Sequence, residues 1–327
     1  MNNDLTDVAG LSVGCAADAA ALTGVTVIVC DQPCVAACDV RGGGPGTRET
    51  DLLNPEMTVE KVDAIALAGG SAFGLETASG VMTWLAERGR GFAVGTARVP
   101  IVPGAILFDL NNGGDKSAVA TGLYRDLALV ACDAIGGPVP LGSRGAGFGA
   151  TTATLRGGHG SASANTGRYT VAALAAVNAA GSATIGDSAR FWAAAYERDG
   201  EFGGLGLPGA MPPQALVART KGMAAASTTL CVVATDAALT KVQARRLAVM
   251  AQDGLARALH PVHTPLDGDV VFALATGRIP LADPLVDLVA IGSEAAHCLA
   301  RAVARGVHAA DSSVGTAMPP AWKDKFG

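Results

Sequence analysis

A chain of 327 residues, 50% apolar and 16% charged, has material for a sizeable buried core in one large domain or two ordinary ones. A net charge of −5 with no block of Lys or Arg argues against a nucleic-acid surface, and aromatics at 4% leave little for base stacking. The N-terminal stretch MNNDLTDVAG lacks a basic region followed by an apolar run, and apolar runs such as 25–30 are too short to span a bilayer, so the sequence reads as a cytoplasmic protein that binds no membrane.

In chain order, 25–29 reads as a strand, and the apolar run 64–67 enters Gly69-Gly70. Residues 76–87 read as a helix with Val81 and Leu85 on one side. The apolar stretch 105–110 precedes the turn cluster Asn111-Asn112-Gly113-Gly114. Periodicity leaves 169–178 open between a strand and a buried helix. The β-branched run 228–235 predicts a strand. Thr240 followed by Gln243 is a capping box opening a helix that carries Leu247, Ala251 and Leu255 and ends near His260-Pro261. Asp267-Gly268-Asp269 is a turn feeding a strand at 270–275. Asp283-Pro284 predicts the start of a helix over 285–304, with Gly292-Ser293 as a point where it could split. Alternating strands and helices, with Gly and Pro spread evenly, predict one α/β layered domain.

Seven cysteines, an odd number without a secretion signal, predict free thiols. Cys30, Cys34 and Cys38 would share a helix face, but Pro33 argues against a helix and no histidine is near, so they read as small buried residues. His260 and His263 lack a third metal ligand at usual spacing, so neither a metal nor another cofactor is predicted.

Three motifs are candidates for chemistry. RGGGPGTRE at 41–49 is not a phosphate loop; it reads as a strained turn or a cleft wall, and Arg41, Arg48 and Glu49 are placed to pair within it. GGSAFG at 69–74 fits neither the dinucleotide fingerprint nor a serine-hydrolase elbow, but it lies ahead of a helix N-terminus, where anions bind. Ser227-Thr228-Thr229 taken alone is a loop-to-strand junction, and a threonine hydroxyl is a weak nucleophile without a base.

Read together, RGGGPGTRETDLL at 41–53, LAGGSAFGLE at 67–76, AVNAAG at 176–181, STTLCVVATDA at 227–237 and PVHTPLDGDVVFALATG at 261–277 resemble the self-processing L-aminopeptidase/D-esterase family. Its relatives include β-peptidyl aminopeptidases and nylon-oligomer hydrolases, and the resemblance covers nearly the whole chain. It implies an αββα sandwich, with two stacked sheets between helix layers. It also implies an N-terminal-nucleophile hydrolase that cuts itself between Ser227 and Thr228 into chains 1–227 and 228–327, which stay together and form homo-oligomers. By the same resemblance Thr228 is the nucleophile, Asn178 stabilises the oxyanion, Asp267 and Asp269 orient the new terminus, and Gly43, Gly44, Gly69, Gly70 and Ser71 line the cleft. The new α-amine of Thr228, with an ordinary pKa of about 7.7–8.0, is a fair base near neutrality.

The chain departs from the family at three places. Ser227 stands where members often carry Asn or Gly. Phe108 stands where the nylon-oligomer hydrolase has Tyr. Arg156 lies in the segment where some members place a Lys; as a permanent cation it is an electrostatic candidate and not a base. The expected substrate is a small peptide or amide. Acyl transfer of the ornithine acetyltransferase kind, or an uncut member that only binds, are the alternatives.

Overall fold

The computed structural model describes residues 1–222, 227–312, 315 and 318–327. The chain lays down β1 (Leu11–Asp18), β2 (Thr23–Val40), β3 (Gly46–Arg48) and β4 (Lys61–Ala68). Helix α1 (Glu76–Glu87) follows, then a small hairpin of β5 (Phe92–Val94) and β6 (Ala97–Val99), strand β7 (Gly104–Ile106) and helix α2 (Leu123–Asp133). The later part runs β8 (Gly158–Asn165), β9 (Thr170–Asn178), β10 (Thr228–Ala237), α3 (Lys241–Ala258), β11 (Val270–Ile279), α4 (Pro284–His308) and α5 (Trp322–Phe326).

Nine strands join in one hydrogen-bonded sheet: eight follow the path β3-β7-β4-β2-β11-β10-β9-β8, and β1 pairs with β2 off that path. Strand β2 is the joint between two layers. Its first half pairs with β1 and β4, and residues 35–40 pair antiparallel with 275–270 of β11. Its register against β4 shifts between Val29 and Cys34, where it passes from one layer toward the other.

The period of two along each strand sorts side chains between faces. In β10, Leu230 and Val232 share an interior with Ile28, Ile65 and Leu67 of the other layer, while Cys231 and Val233 pack with Leu247 and Leu255 of α3 and Leu299 of α4. On the far side, Val25, Val27 and Ala66 lie under Val81 and Leu85 of α1 and Tyr124 and Leu127 of α2. Helix on sheet, sheet on sheet and sheet on helix give three interiors, which is an αββα sandwich. Each fully buried Val or Leu contributes about 1.5–3 kcal/mol of transfer free energy to them.

Most local expectations hold, with α1 spanning the predicted 76–87. Thr240 and Gln243 cap α3 reciprocally, and Asp283 accepts the N–H groups of Leu285 and Val286 at the start of α4. The open stretch 169–178 is strand β9, bonded on both sides. Cys30, Cys34 and Cys38 lie in β2, buried between the sheets, and all seven cysteines are free.

Two expectations are corrected. Helix α4 does not split at Gly292-Ser293. Gly292 lets α3 pack close, since a Cβ there would sit 2.4 Å from the Met250 methyl carbon. Arg41, Arg48 and Glu49 do not pair with one another. Arg41 binds Asp39 at 2.7 Å, and Arg48 reaches over to α1, donating to Ser79 Oγ at 2.7 Å and to the Leu75 carbonyl at 3.4 Å. Among the described residues, no helix is long and apolar enough to cross a membrane.

Candidate active site

Sheet topology brings distant residues to one end of β10. Strands β10 and β11 are parallel neighbours, so the residue before β10 lies beside the turn before β11. Strand β9 runs antiparallel to β10, so its last residue, Asn178, is the Cα partner of Thr228, the first of β10. Ser227 forms a parallel bridge with Asp267 and donates its N–H to the Leu266 carbonyl at 3.0 Å. The Ser227 carbonyl oxygen accepts from the Gly268 N–H at 2.8 Å and from the Thr228 hydroxyl at 2.5 Å. Both residues are buried, at 1% and 3% exposure. A nucleophile-type hydroxyl and a backbone donor thus meet at one peptide bond.

The acidic turn lies against this bond. Asp267 Oδ1 accepts from the Ala180 N–H at 3.0 Å, and Oδ2 from the N–H and hydroxyl of Thr264 at 2.9 and 2.7 Å. Asp269 Oδ1 accepts from the Thr229 N–H at 2.8 Å, and Oδ2 from the His263 N–H at 3.1 Å, with the His263 ring Nδ1 2.9 Å away. Burial raises the pKa of Asp267, and the charge of Asp269 raises it further, against donors from Thr264 and Ala180 that lower it.

The 41–49 loop backs this turn. Gly43 N–H donates to the Thr264 carbonyl at 3.2 Å and Gly44 N–H to the Asp267 carbonyl at 2.8 Å. Close approach fixes residue type here. A Cβ on Gly42 would lie 2.3 Å from the Asp269 nitrogen, and one on Gly268 would lie 2.5 Å from Thr228 Oγ1.

Asn178 closes the opposite side. Its Nδ2 donates to the Phe108 carbonyl at 2.9 Å, and its Oδ1 accepts from the Thr151 N–H at 3.0 Å and from Lys221 Nζ at 2.9 Å. The loop at 69–71 reaches this side through the stretch 107–109. Ser71 N–H donates to the Leu107 carbonyl at 2.9 Å and Gly70 N–H to Asp109 Oδ1 at 2.7 Å. Burial lowers the pKa of Lys221 to about 7, with the Asp267 charge opposing the shift.

The structure therefore brings Ser227, Thr228, Asn178, Asp267 and Asp269 together, sets Gly43 and Gly44 behind the turn, and attaches Phe108 by its carbonyl. Gly69, Gly70 and Ser71 join through 107–109. The backbone of Arg156 bridges Thr151, the residue that donates to Asn178, while its side-chain Nη2 donates to the Gly315 carbonyl at 2.6 Å and its backbone N–H to the Pro320 carbonyl at 3.0 Å. Sequence reading missed Lys221 and the Gly268 N–H. A lone loop lysine and a backbone amide have no pattern signature, whereas His263 and Thr264 stood inside the 261–277 motif. Among the described residues, no group of three or more His, Cys, Asp or Glu is placed to hold a metal ion.

The chain is 44% identical to an uncharacterised aminopeptidase of Mycobacterium bovis, over 99% of this chain and 98% of that one. It is 30% identical to a 6-aminohexanoate-oligomer endohydrolase of Kocuria sp., over 84% of this chain and 75% of that one. The fold matches the L-aminopeptidase D-Ala-esterase/amidase of Ochrobactrum anthropi, of Ntn-hydrolase fold, with a TM-score of 0.71 at 21% identity, covering 95% of this chain and 87% of that one. It matches a Burkholderia sp. β-aminopeptidase with a TM-score of 0.69 at 22% identity, covering 94% and 86%. Residues 3–318 match peptidase family S58, so the chain belongs to that family of amide-bond hydrolases.

Proposed function

We propose that this protein is a self-processing aminopeptidase or amidase whose nucleophile is Thr228. The observation that carries the reading is the doubly held Ser227 carbonyl, with the Thr228 hydroxyl on one side and the Gly268 N–H on the other. Attack by Thr228 Oγ1 on the Ser227 carbonyl carbon places negative charge on that oxygen, where the Gly268 N–H receives it. The C–N bond then breaks, the hydroxyl proton passes to the departing nitrogen, and an ester with a free α-amine remains. Water hydrolyses the ester, leaving a Ser227 carboxylate and an N-terminal Thr228.

In turnover the α-amine takes the hydroxyl proton, and nucleophile and base are held together by their own covalent geometry. Asp267 and Asp269, fixed by N–H donors from 180, 229, 263 and 264, orient the new terminus, and Asn178 donates to the negative charge that develops beside Thr228 in the cut and in turnover alike. The relatives support a small peptide or other linear amide as substrate, and the family resemblance implies a homo-oligomer of cut units as the working form.

Intact mass under denaturing conditions tests the reading. Two masses summing to the precursor plus one water, the smaller beginning at Thr228, are expected. A single full-length mass after long incubation overturns it and leaves a binding role.

A further inference from the structure

We propose that Lys221 is a positioning residue for the reaction at Thr228, acting through Asn178 with its charge. The proposal rests on Thr228 being the nucleophile and adds a residue upstream of the scissile bond to the machinery.

Lys221 Nζ holds Asn178 at two points, the main-chain carbonyl at 3.1 Å and Oδ1 at 2.9 Å. The Lys221 N–H is itself tied to the Ala180 carbonyl at 3.2 Å, so the segment before the cut is hooked onto the end of β9. With Thr151 N–H also on Oδ1, the carboxamide has one orientation: oxygen toward Lys221, nitrogen toward Phe108. A carboxamide nitrogen has two hydrogens, and among the described residues one is taken, by the Phe108 carbonyl. The other is available to negative charge developing beside Thr228, the Cα partner of Asn178. An ammonium on Oδ1 draws electron density from the amide and strengthens that donor, and its field acts on the same charge.

The charges facing Lys221 are few. Asp267 is the carboxylate that acts on it, and Asp269 stands behind Asp267 with His263 on its far oxygen. Arg156 donates from Nη2 to the Gly315 carbonyl in the C-terminal segment. Burial brings Lys221 to about 7, so its ammonium is lost as pH rises through neutrality, while an arginine in its place stays charged.

The test follows self-cleavage of precursor made by cell-free translation, chased on denaturing gels and by mass from pH 6 to about 9. Wild type, Lys221→Met, Lys221→Gln and Lys221→Arg are compared, with thermal melts reporting folding; Lys221→Gln serves if Lys221→Met does not fold. The expected result is a slowing of about tenfold at pH 6.5 in the neutral variants, below the loss from deleting an oxyanion donor outright. Lys221→Arg restores the rate to within about threefold, since it keeps the charge with a different fork geometry. The ratio of wild type to Lys221→Met falls above pH 7, and the ratio of Lys221→Arg to Lys221→Met stays flat. Equal rates in all four proteins overturn the proposal while leaving Thr228 as nucleophile. Slowing in Met, Gln and Arg alike, with flat ratios, assigns Lys221 a structural role and also overturns it. An uncut wild type overturns the nucleophile reading itself, and this proposal with it.

Discussion

Two buried charge clusters in this protein are built on opposite principles. Around α4, Arg301 forks onto Glu201 at 2.5 and 3.0 Å, donates to the Ser163 carbonyl at 2.9 Å and to Asn3 Oδ1 at 2.8 Å, and Arg305 adds a second contact to Glu201 at 3.3 Å. Burial pushes the Glu201 pKa up, but the Arg301 pair outweighs it and the net shift is downward. At the start of β10 the balance is reversed. Two carboxylates share one turn, burial and like charge raise Asp267, and burial lowers Lys221 to about 7. The first cluster is satisfied and staples the N-terminus to a helix. The second keeps one lysine poised to lose its proton near neutrality, beside a carboxyl held above its usual range.

Four changes break or sharpen this contrast, taken from the largest effect down. Thr228→Ala abolishes self-cleavage and leaves a single full-length mass, with the melting temperature close to wild type. Normal processing in that variant means another nucleophile. Glu201→Gln strands Arg301 in a buried site and costs about 3–5 kcal/mol in urea unfolding, without slowing the cut in the molecules that remain folded. A loss under about 1 kcal/mol there erases the distinction between the clusters. Gly268→Ala pushes a methyl group against Thr228 Oγ1 and the Gly44 carbonyl, 2.5 and 2.8 Å from its ideal place. It destabilises by about 1–3 kcal/mol and slows cleavage, read by melts and mass time courses.

The smallest effect is in pH dependence, and the two clusters carry opposite signs. Asp267 has a raised folded pKa, so its contribution is present in acid and is lost as pH rises from the ordinary aspartate value through the raised one. Glu201 has a lowered folded pKa, so its contribution is present above the ordinary glutamate value and is lost as pH falls through the lowered one. Urea unfolding of Asp267→Asn and Glu201→Gln against wild type across acid to neutral pH should give difference curves of opposite slope. Parallel curves contradict the assignment.

Much of the scaffold was legible in the sequence because it is local. The Thr240–Gln243 box, the Asp283-Pro284 start and the α1 periodicity depend on neighbours a turn away, and the structure keeps them. Gly292 misled because helix propensity is a weak prior against α3–α4 packing. The 169–178 run was undecidable because β9 is apolar on both faces, buried between a helix layer and a sheet. The candidate site was legible only as separate motifs, and the resemblance supplied their roles. Lys221, the Phe108 carbonyl and the Gly268 N–H meet Thr228 and Asn178 through sheet order, which no local pattern encodes. Arg48 was misassigned for the same reason, since its partner Ser79 lies a strand and a helix away.

The place of β10 and β11 has a consequence for how molecules keep their parts. They are adjacent strands, with β10 laddered to β9 and β11 to β2. A chain opened before Thr228 would have both strands on the newer piece, wedged between two strands of the older one. Pulling that piece out would bare two central sheet edges at once, each a row of unpaired amides and carbonyls. In a molecule cut there, subunit exchange would be closed at this level: each small chain would stay with the large chain it was synthesised with, and mixed pairs would arise only by unfolding or by co-expression of the two pieces.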